Sequence, residues 1–206
     1  MKITRLPEGY PKSSLHHYEL PTDANSVEYA ERGWCFAESS MSGLVKFSHK
    51  VLDLAGDVNE EHLSHMIHNC KVGRSPPLHP GDFEEELNKK SFTSKKDDFH
   101  KVAKLYSDAF ERLLGSAKEL EYSGLGWEAD AVPKLLRALK SNTALHSLKL
   151  GENDIGPQGA AALGQALKAG SSLQTLNLEG NNVGAHGAAA LGQALESNRS
   201  LQLLNL

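Results

Sequence analysis

The stretch Leu145-His-Ser-Leu148-Lys-Leu150-Gly-Glu-Asn153-Asp-Ile155-Gly156-Pro-Gln-Gly159-Ala-Ala-Ala-Leu163-Gly-Gln-Ala-Leu167-Lys-Ala-Gly-Ser-Ser172 decides the fold, because the residues after it repeat it. Residues 173–200 align on it without a gap, and both segments are 28 residues long. About half of the aligned positions are identical, a level unrelated segments rarely reach. Downstream, residues 201–206 begin a third copy with Leu201, Leu204 and Leu206. Upstream, residues 117–144 fit the frame more loosely, with Leu120 on Leu148, Tyr122 on Leu150, Leu135 on Leu163 and Leu139 on Leu167.

Each full copy changes period halfway through. Leu148 and Leu150 alternate with Lys149, the period of a short strand with one buried face. Leu163 and Leu167 lie four apart, as do Ala162 and Ala166, which is one apolar stripe on a helix. Between them stand Asn153 and Ile155-Gly156, matched by Asn181 and Val183-Gly184, so each copy reads as strand, tight turn and helix. Parallel strands stack ~4.8 Å apart, whereas a helix with its side chains is about 10 Å wide. Stacking both in register bends the array, with strands on the concave side and helices on the convex side. Ala160, Ala161, Ala162, Ala166 and Gly164 keep the helices thin enough to crowd. The expected fold class is α/β, a short right-handed solenoid preceded by a mostly helical, irregular N-terminal region.

This pattern resembles the ribonuclease-inhibitor class of leucine-rich repeats, found also in NOD-like receptors and Ran GTPase-activating proteins. The resemblance covers residues 117–206, on leucine spacing, Asn position and repeat length together. It implies that Asn153 and Asn181 bond backbone groups at the turn, a task suited to an amide that both donates and accepts. The first copy carries Leu125 in the Asn position and Trp127 in place of Ile155, which suits a terminal, capping repeat (117–144) before full repeats at 145–172 and 173–200 and a partial one at 201–206. The implied function is protein binding without catalysis. The expected contact residues face solvent on the strands and just beyond them: Ser147, Lys149, Gly151, Thr175, Asn177, Glu179, Leu203 and Asn205. The third copy stops after its strand, which predicts a longer array and a strand edge open to self-association.

Residues 1–116 show no repeat. Segments 6–11, around 21–24 and 73–81 read as loop from their Pro, Gly and Asp content. Trp34, Glu38, Met41, Leu44 and Val45 have helical spacing, residues 50–54 read as a short strand, and residues 60–70 read as a second helix. Asp82 is placed to cap a short helix through Leu87. Ser94 or Asp97 can start a longer helix with Phe99, Val102, Ala103, Tyr106, Phe110 and Leu113 on its apolar side, which would cap the first repeat. The string Arg32-Gly-Trp-Cys-Phe-Ala-Glu38 is similar to a segment of Toll/interleukin-receptor (TIR) domains, over residues 30–56. That resemblance implies Glu38 as the catalytic carboxylate of an NAD hydrolase. A TIR domain places several strands and helices ahead of this string, and only 33 mostly loop-like residues precede Trp34. A carboxylate without a pocket lacks the positioning that catalysis requires. The reading preferred from the residues makes Trp34 and Phe36 core or half-buried, Glu38 a solvated helix charge, and the chain no enzyme.

The remaining composition excludes rather than assigns. A net charge of −4 gives no electrostatic reason to expect nucleic acid or an anionic membrane as partner. Two cysteines, Cys35 and Cys70, make no disulfide framework, and no apolar run is long enough for a secretory signal or a membrane span, so the expectation is a cytoplasmic protein. His62, His65, His68 and Cys70 share one predicted helix, but His62 and His68 diverge around it, so no metal site is expected. Cys35 lacks a recognisable nucleophile motif and reads as a buried structural thiol. No glycine pair has phosphate-binding spacing, and no cofactor is expected. His16-His17 and the lysines at 89–90 and 95–96 read as surface.

Overall fold

The computed structural model describes residues 31–44, 74–92 and 95–206. The expected strand at 50–54, the histidine-bearing helix at 60–70, His16-His17 and Val45 lie outside the described residues.

Four short strands build one sheet: β1 (Glu119–Glu121), β2 (Ser147–Lys149), β3 (Thr175–Asn177) and β4 (Leu203–Asn205). They lie in sequence order and every pair is parallel. The register pairs Leu120 with Leu148, Leu148 with Leu176 and Leu176 with Leu204, the same 28-residue frame that the sequence repeats. Parallel neighbours need a crossover between them. Helices α4 (Ala131–Leu139), α5 (Gly156–Lys168) and α6 (Gly184–Ser197) supply it, under labels that follow the three N-terminal helices described below. The result is an α/β solenoid. Leu148, Leu150, Ile155, Leu163 and Leu167 of one repeat, with Leu173, Leu176, Leu178, Val183 and Leu191 of the next, are buried in one continuous core.

The turn after each strand makes a backbone demand. Position 124, 152 and 180 of the three copies all have left-handed backbone, with φ of 65°, 54° and 70°. Gly124 and Gly180 meet that demand without a Cβ, whereas Glu152 holds it with a side chain. The helices then close up. A Cβ built on Gly164 would stand 3.0 Å from the Ala190 carbonyl oxygen and 3.2 Å from its carbon. α5 thus lies with its backbone against that of α6, the most extensive helix contact among the described residues.

Ahead of the sheet come α1 (Gly33–Gly43), α2 (Pro80–Asn88) and α3 (Lys95–Leu113). Their interior is an aromatic stack. Phe36 lies on Phe83 with centroids 5.2 Å apart, Phe83 on Tyr106 at 3.7 Å, and Phe110 beyond at 6.2 Å. α3 buries Val102, Ala103, Tyr106 and Phe110 as its spacing predicts, adds Ala109, and leaves Phe99 and Leu113 half-buried. Gly33 packs under the Phe92 ring, where any side chain would collide, and its N–H donates to the Ser91 carbonyl at 2.9 Å.

Three local expectations are corrected. α2 is capped by His79, whose Nδ1 accepts from the Gly81 N–H at 3.2 Å. Pro80, at the first helical position, has no N–H to satisfy, and Asp82 instead pairs with Arg137 of α4 at 2.8 Å. Trp34 is 43% exposed, because α1 turns Gly33, Ala37 and Gly43 inward. Cys35 is half-buried rather than buried.

The N-terminal helices and the first repeat share one buried core running from Ala37 to Ala194. Tyr122 donates its hydroxyl to the Leu44 carbonyl at 2.5 Å. The Trp127 indole N–H donates to the Arg74 carbonyl, and the Tyr122 and Trp127 rings meet at 4.9 Å. Residues 74–78 and Leu44 therefore make the join together with the helix ends.

Candidate interaction surface

The middle residue of β1, β2 and β3 is buried, and the residues flanking it face solvent to different degrees. Register turns those flanking residues into two rows. One runs Glu119, Ser147, Thr175, Leu203 and the other Glu121, Lys149, Asn177, Asn205. Parallel strands hold neighbours in each row ~4.8 Å apart, so the side chains form a grid carried on rigid backbone. Every strand residue expected to contact a partner lies on it, with Glu179 exposed just beyond β3.

Glu119 and Glu121 belong to the same grid and were not expected there. Their positions were legible as 147 and 149 less one repeat, but the loose first copy reads as a cap rather than as a working surface. Gly151 is the opposite case. It was expected at the surface and is buried, close to the Ser123 hydroxyl, the Glu179 carbonyl and the Asn177 amide oxygen.

Charge on the grid is concentrated at one end. The Lys149 ammonium sits 2.5 Å from Glu119 and 3.9 Å from Glu121. The hydrogen bond to Glu119 raises the Lys149 pKa from its ordinary value, partial burial works against this, and the charges of Glu119 and Glu121 add to the rise. Glu152 and Glu179 flank the strands and are exposed. Toward β4 the surface turns neutral: the Asn177 amide oxygen accepts from the Glu179 N–H at 2.8 Å, and Leu203 is half exposed.

Two buried asparagines hold the grid rigid. Asn153 accepts from the N–H groups of Leu125 and Trp127 at 2.9 and 3.1 Å, and donates to the carbonyls of Tyr122, Leu150 and Gly151. Asn181 accepts from the Ile155 N–H and donates to Leu150, Leu178 and Glu179. Each asparagine thus stitches its own turn to that of the preceding copy. Leu125, which replaces Asn in the first copy, presents its backbone N–H to Asn153.

The other sequence candidate, Glu38, lies exposed on α1 and does not line either of two cavities, one at the join with the first repeat and one beside α3. The larger, of about 420 Å³, opens at the join between N-terminal helices and first repeat, bordered by Arg74, Trp127 and Lys134. Arg74 is a residue that sequence reading passed over, since nothing in the loop-like segment 73–81 marks it as buried. Its guanidinium carbon stands 5.9 Å from the centre of the Tyr122 ring. Burial lowers the Arg74 pKa, and the nearby Tyr122 phenol opposes that shift. Beside the cavity, a hydrogen bond from Lys134 at 2.7 Å lowers the Asp130 pKa.

Among the described residues, no helix is long and apolar enough to cross a membrane and no cluster of His, Cys, Asp and Glu could hold a metal ion. A comparison with curated proteins found no match. Residues 141–164 and 171–192 each match the family model described as Leucine Rich repeat. Those two segments cover β2 with the start of α5 and β3 with the start of α6, so two copies of the 28-residue frame match leucine-rich repeats.

Proposed function

We propose that this chain is a non-catalytic binding module that captures a protein partner on the solvent-facing grid of its parallel sheet. The observation that carries the reading is the strict register of four strands, which holds Ser147, Lys149, Thr175, Asn177, Leu203 and Asn205 in two rows without intervening backbone. Leucine-rich repeats commonly serve protein–protein interaction, and those of this chain fit the ribonuclease-inhibitor type: 28 residues long, one α-helix per copy, and a buried asparagine at the turn. Glu119, Glu121, Glu152 and Glu179 outnumber Lys118 and Lys149 on and around the strands, which favours a partner presenting basic groups.

A photo-crosslinking amino acid at Thr175 tests the reading against one at His186, which is exposed on the helical side. Crosslinks to a protein are expected from position 175 and not from 186. Glu179→Lys should then weaken that partner's binding by about fivefold, the size of a surface charge effect, with an unchanged circular dichroism spectrum. Equal crosslinking from both positions would remove the strand face as the site.

A further inference from the structure

Among the described residues, the buried polar or charged side chains are Arg74, Asn153 and Asn181. Both asparagines are saturated with hydrogen bonds. Arg74 is not. Its Nη1 makes one long bond, 3.4 Å, to the Gly43 carbonyl. Its Nε and Nη2 are buried and have no hydrogen-bond partner. Those two nitrogens are the ones whose N–H bonds run side by side along one edge of a guanidinium, spaced to meet the two oxygens of a carboxylate or phosphate. A buried charge left without a partner is costly, and native folds supply one.

The cavity that Arg74 borders provides the room. It opens to solvent between Ser75-Pro76 and the turn carrying Trp127, and Lys134 borders it as the ion-pair partner of Asp130. Two carboxylates also border it, and neither satisfies Arg74. Glu128 is exposed, and Asp130 is engaged by Lys134. We propose that Arg74 anchors a second binding site, at the junction of the N-terminal helices with the first repeat, which takes a small oxyanion side-on against Nε and Nη2. The oxyanion reaches the fork through a rotation of the Arg74 side chain into the cavity it borders. This site stands apart from the strand face, and its fate does not depend on the partner bound there.

Thermal unfolding of the full chain at constant ionic strength tests it, with chloride replaced stepwise by acetate or by inorganic phosphate. The expected result is a saturable rise of the midpoint with at least one of the two, since a ligand bound only by the folded state stabilises by mass action. A rise with acetate alone assigns a carboxylate, and a rise with phosphate alone a phosphoryl group. Arg74→Met should lose the response. Arg74→Lys keeps the charge without the fork, and should need at least about tenfold more anion. In parallel, the Arg74 Nε–H resonance of the wild-type chain should shift over the same concentration range, a readout that needs no variant to fold. A wild-type midpoint and Nε–H signal indifferent to both anions, or an Arg74→Met chain that responds as the wild type does, would overturn the proposal.

Discussion

At the scale of single residues, the turn asparagines tie each copy of the repeat to the copy before it. Asn153 serves two N–H groups and three carbonyls that lie away from water. Truncation to alanine leaves the Leu125 and Trp127 amides buried without acceptors, and each such orphan costs roughly 1–3 kcal/mol. Asn153→Ala is therefore expected to lose about 3 kcal/mol in urea unfolding, and Asn181→Ala less, because Asn181 accepts one bond, at 3.3 Å, rather than two. Equal losses would mean that the shared turn carbonyls, not the amides, dominate. This pair was legible in the sequence because it recurs at one repeat's spacing. A second pair was not. Asn142 donates to the Leu114 and Ala117 carbonyls and accepts from the Ala144 and Leu145 N–H groups, and Asn198 accepts in the same way from Ser200 and Leu201 while donating to the Leu167 carbonyl. Between them the frame places Gly170, with φ of 101°, and the Ser172 hydroxyl bonds the Leu145 carbonyl instead. One substituted copy out of three hides a period of 28.

At the scale of elements, the same glycine does opposite work in successive helices. Gly164 and Gly192 occupy equivalent positions, so propensity alone predicts that alanine stabilises either helix by about 1 kcal/mol. At Gly164 the new methyl would press on the Ala190 and Leu191 backbone, which can yield only if α6 shifts as a body. Overpacking of that kind costs roughly 1–3 kcal/mol, so Gly164→Ala should destabilise by about 1 kcal/mol net. Nothing lies within 4 Å of a Cβ at Gly192. Gly192→Ala should raise the urea midpoint, and two shifts of the same sign would show that α5 and α6 are free to separate. Helical spacing revealed which residues of α3 turn inward, yet it could not reveal that Phe36, Phe83 and Tyr106 meet. Periodicity reports the buried face of one helix and is silent on which other helix covers it. For the same reason the Gly33-Trp34 string, distinctive as sequence, did not disclose that its glycine is packed and its tryptophan exposed.

At the scale of the molecule, two buried tyrosines, Tyr106 within the N-terminal helices and Tyr122 at their join with the repeats, make the fold sensitive to alkali. Tyr106 donates to the Leu78 carbonyl at 2.7 Å and Tyr122 to that of Leu44. Burial pushes both phenols above their ordinary range; the Leu78 hydrogen bond moderates this for Tyr106 and the Arg74 charge for Tyr122. The folded state therefore keeps its protons after the unfolded chain, whose tyrosines titrate near 10, has begun to lose them. Their contribution is present in full below about pH 10 and drains away as pH climbs through the raised folded values, by up to about 1.4 kcal/mol per pH unit for each phenol. Lys149 titrates in the same direction, but it is exposed and its ion pair is screened, so it adds little. Unfolding free energies measured in urea from pH 8 to 11 should thus fall above pH 10. Tyr122→Phe should be less stable by about 1 kcal/mol below pH 9, where the Leu44 carbonyl loses its donor. The same variant should show roughly half the alkaline slope, because among the described tyrosines only Tyr106 is left to resist ionisation. A variant slope as steep as the wild type's would place the alkaline weakness away from the contact between Tyr122 and Leu44, and with it the idea that this contact binds the N-terminal helices to the repeats.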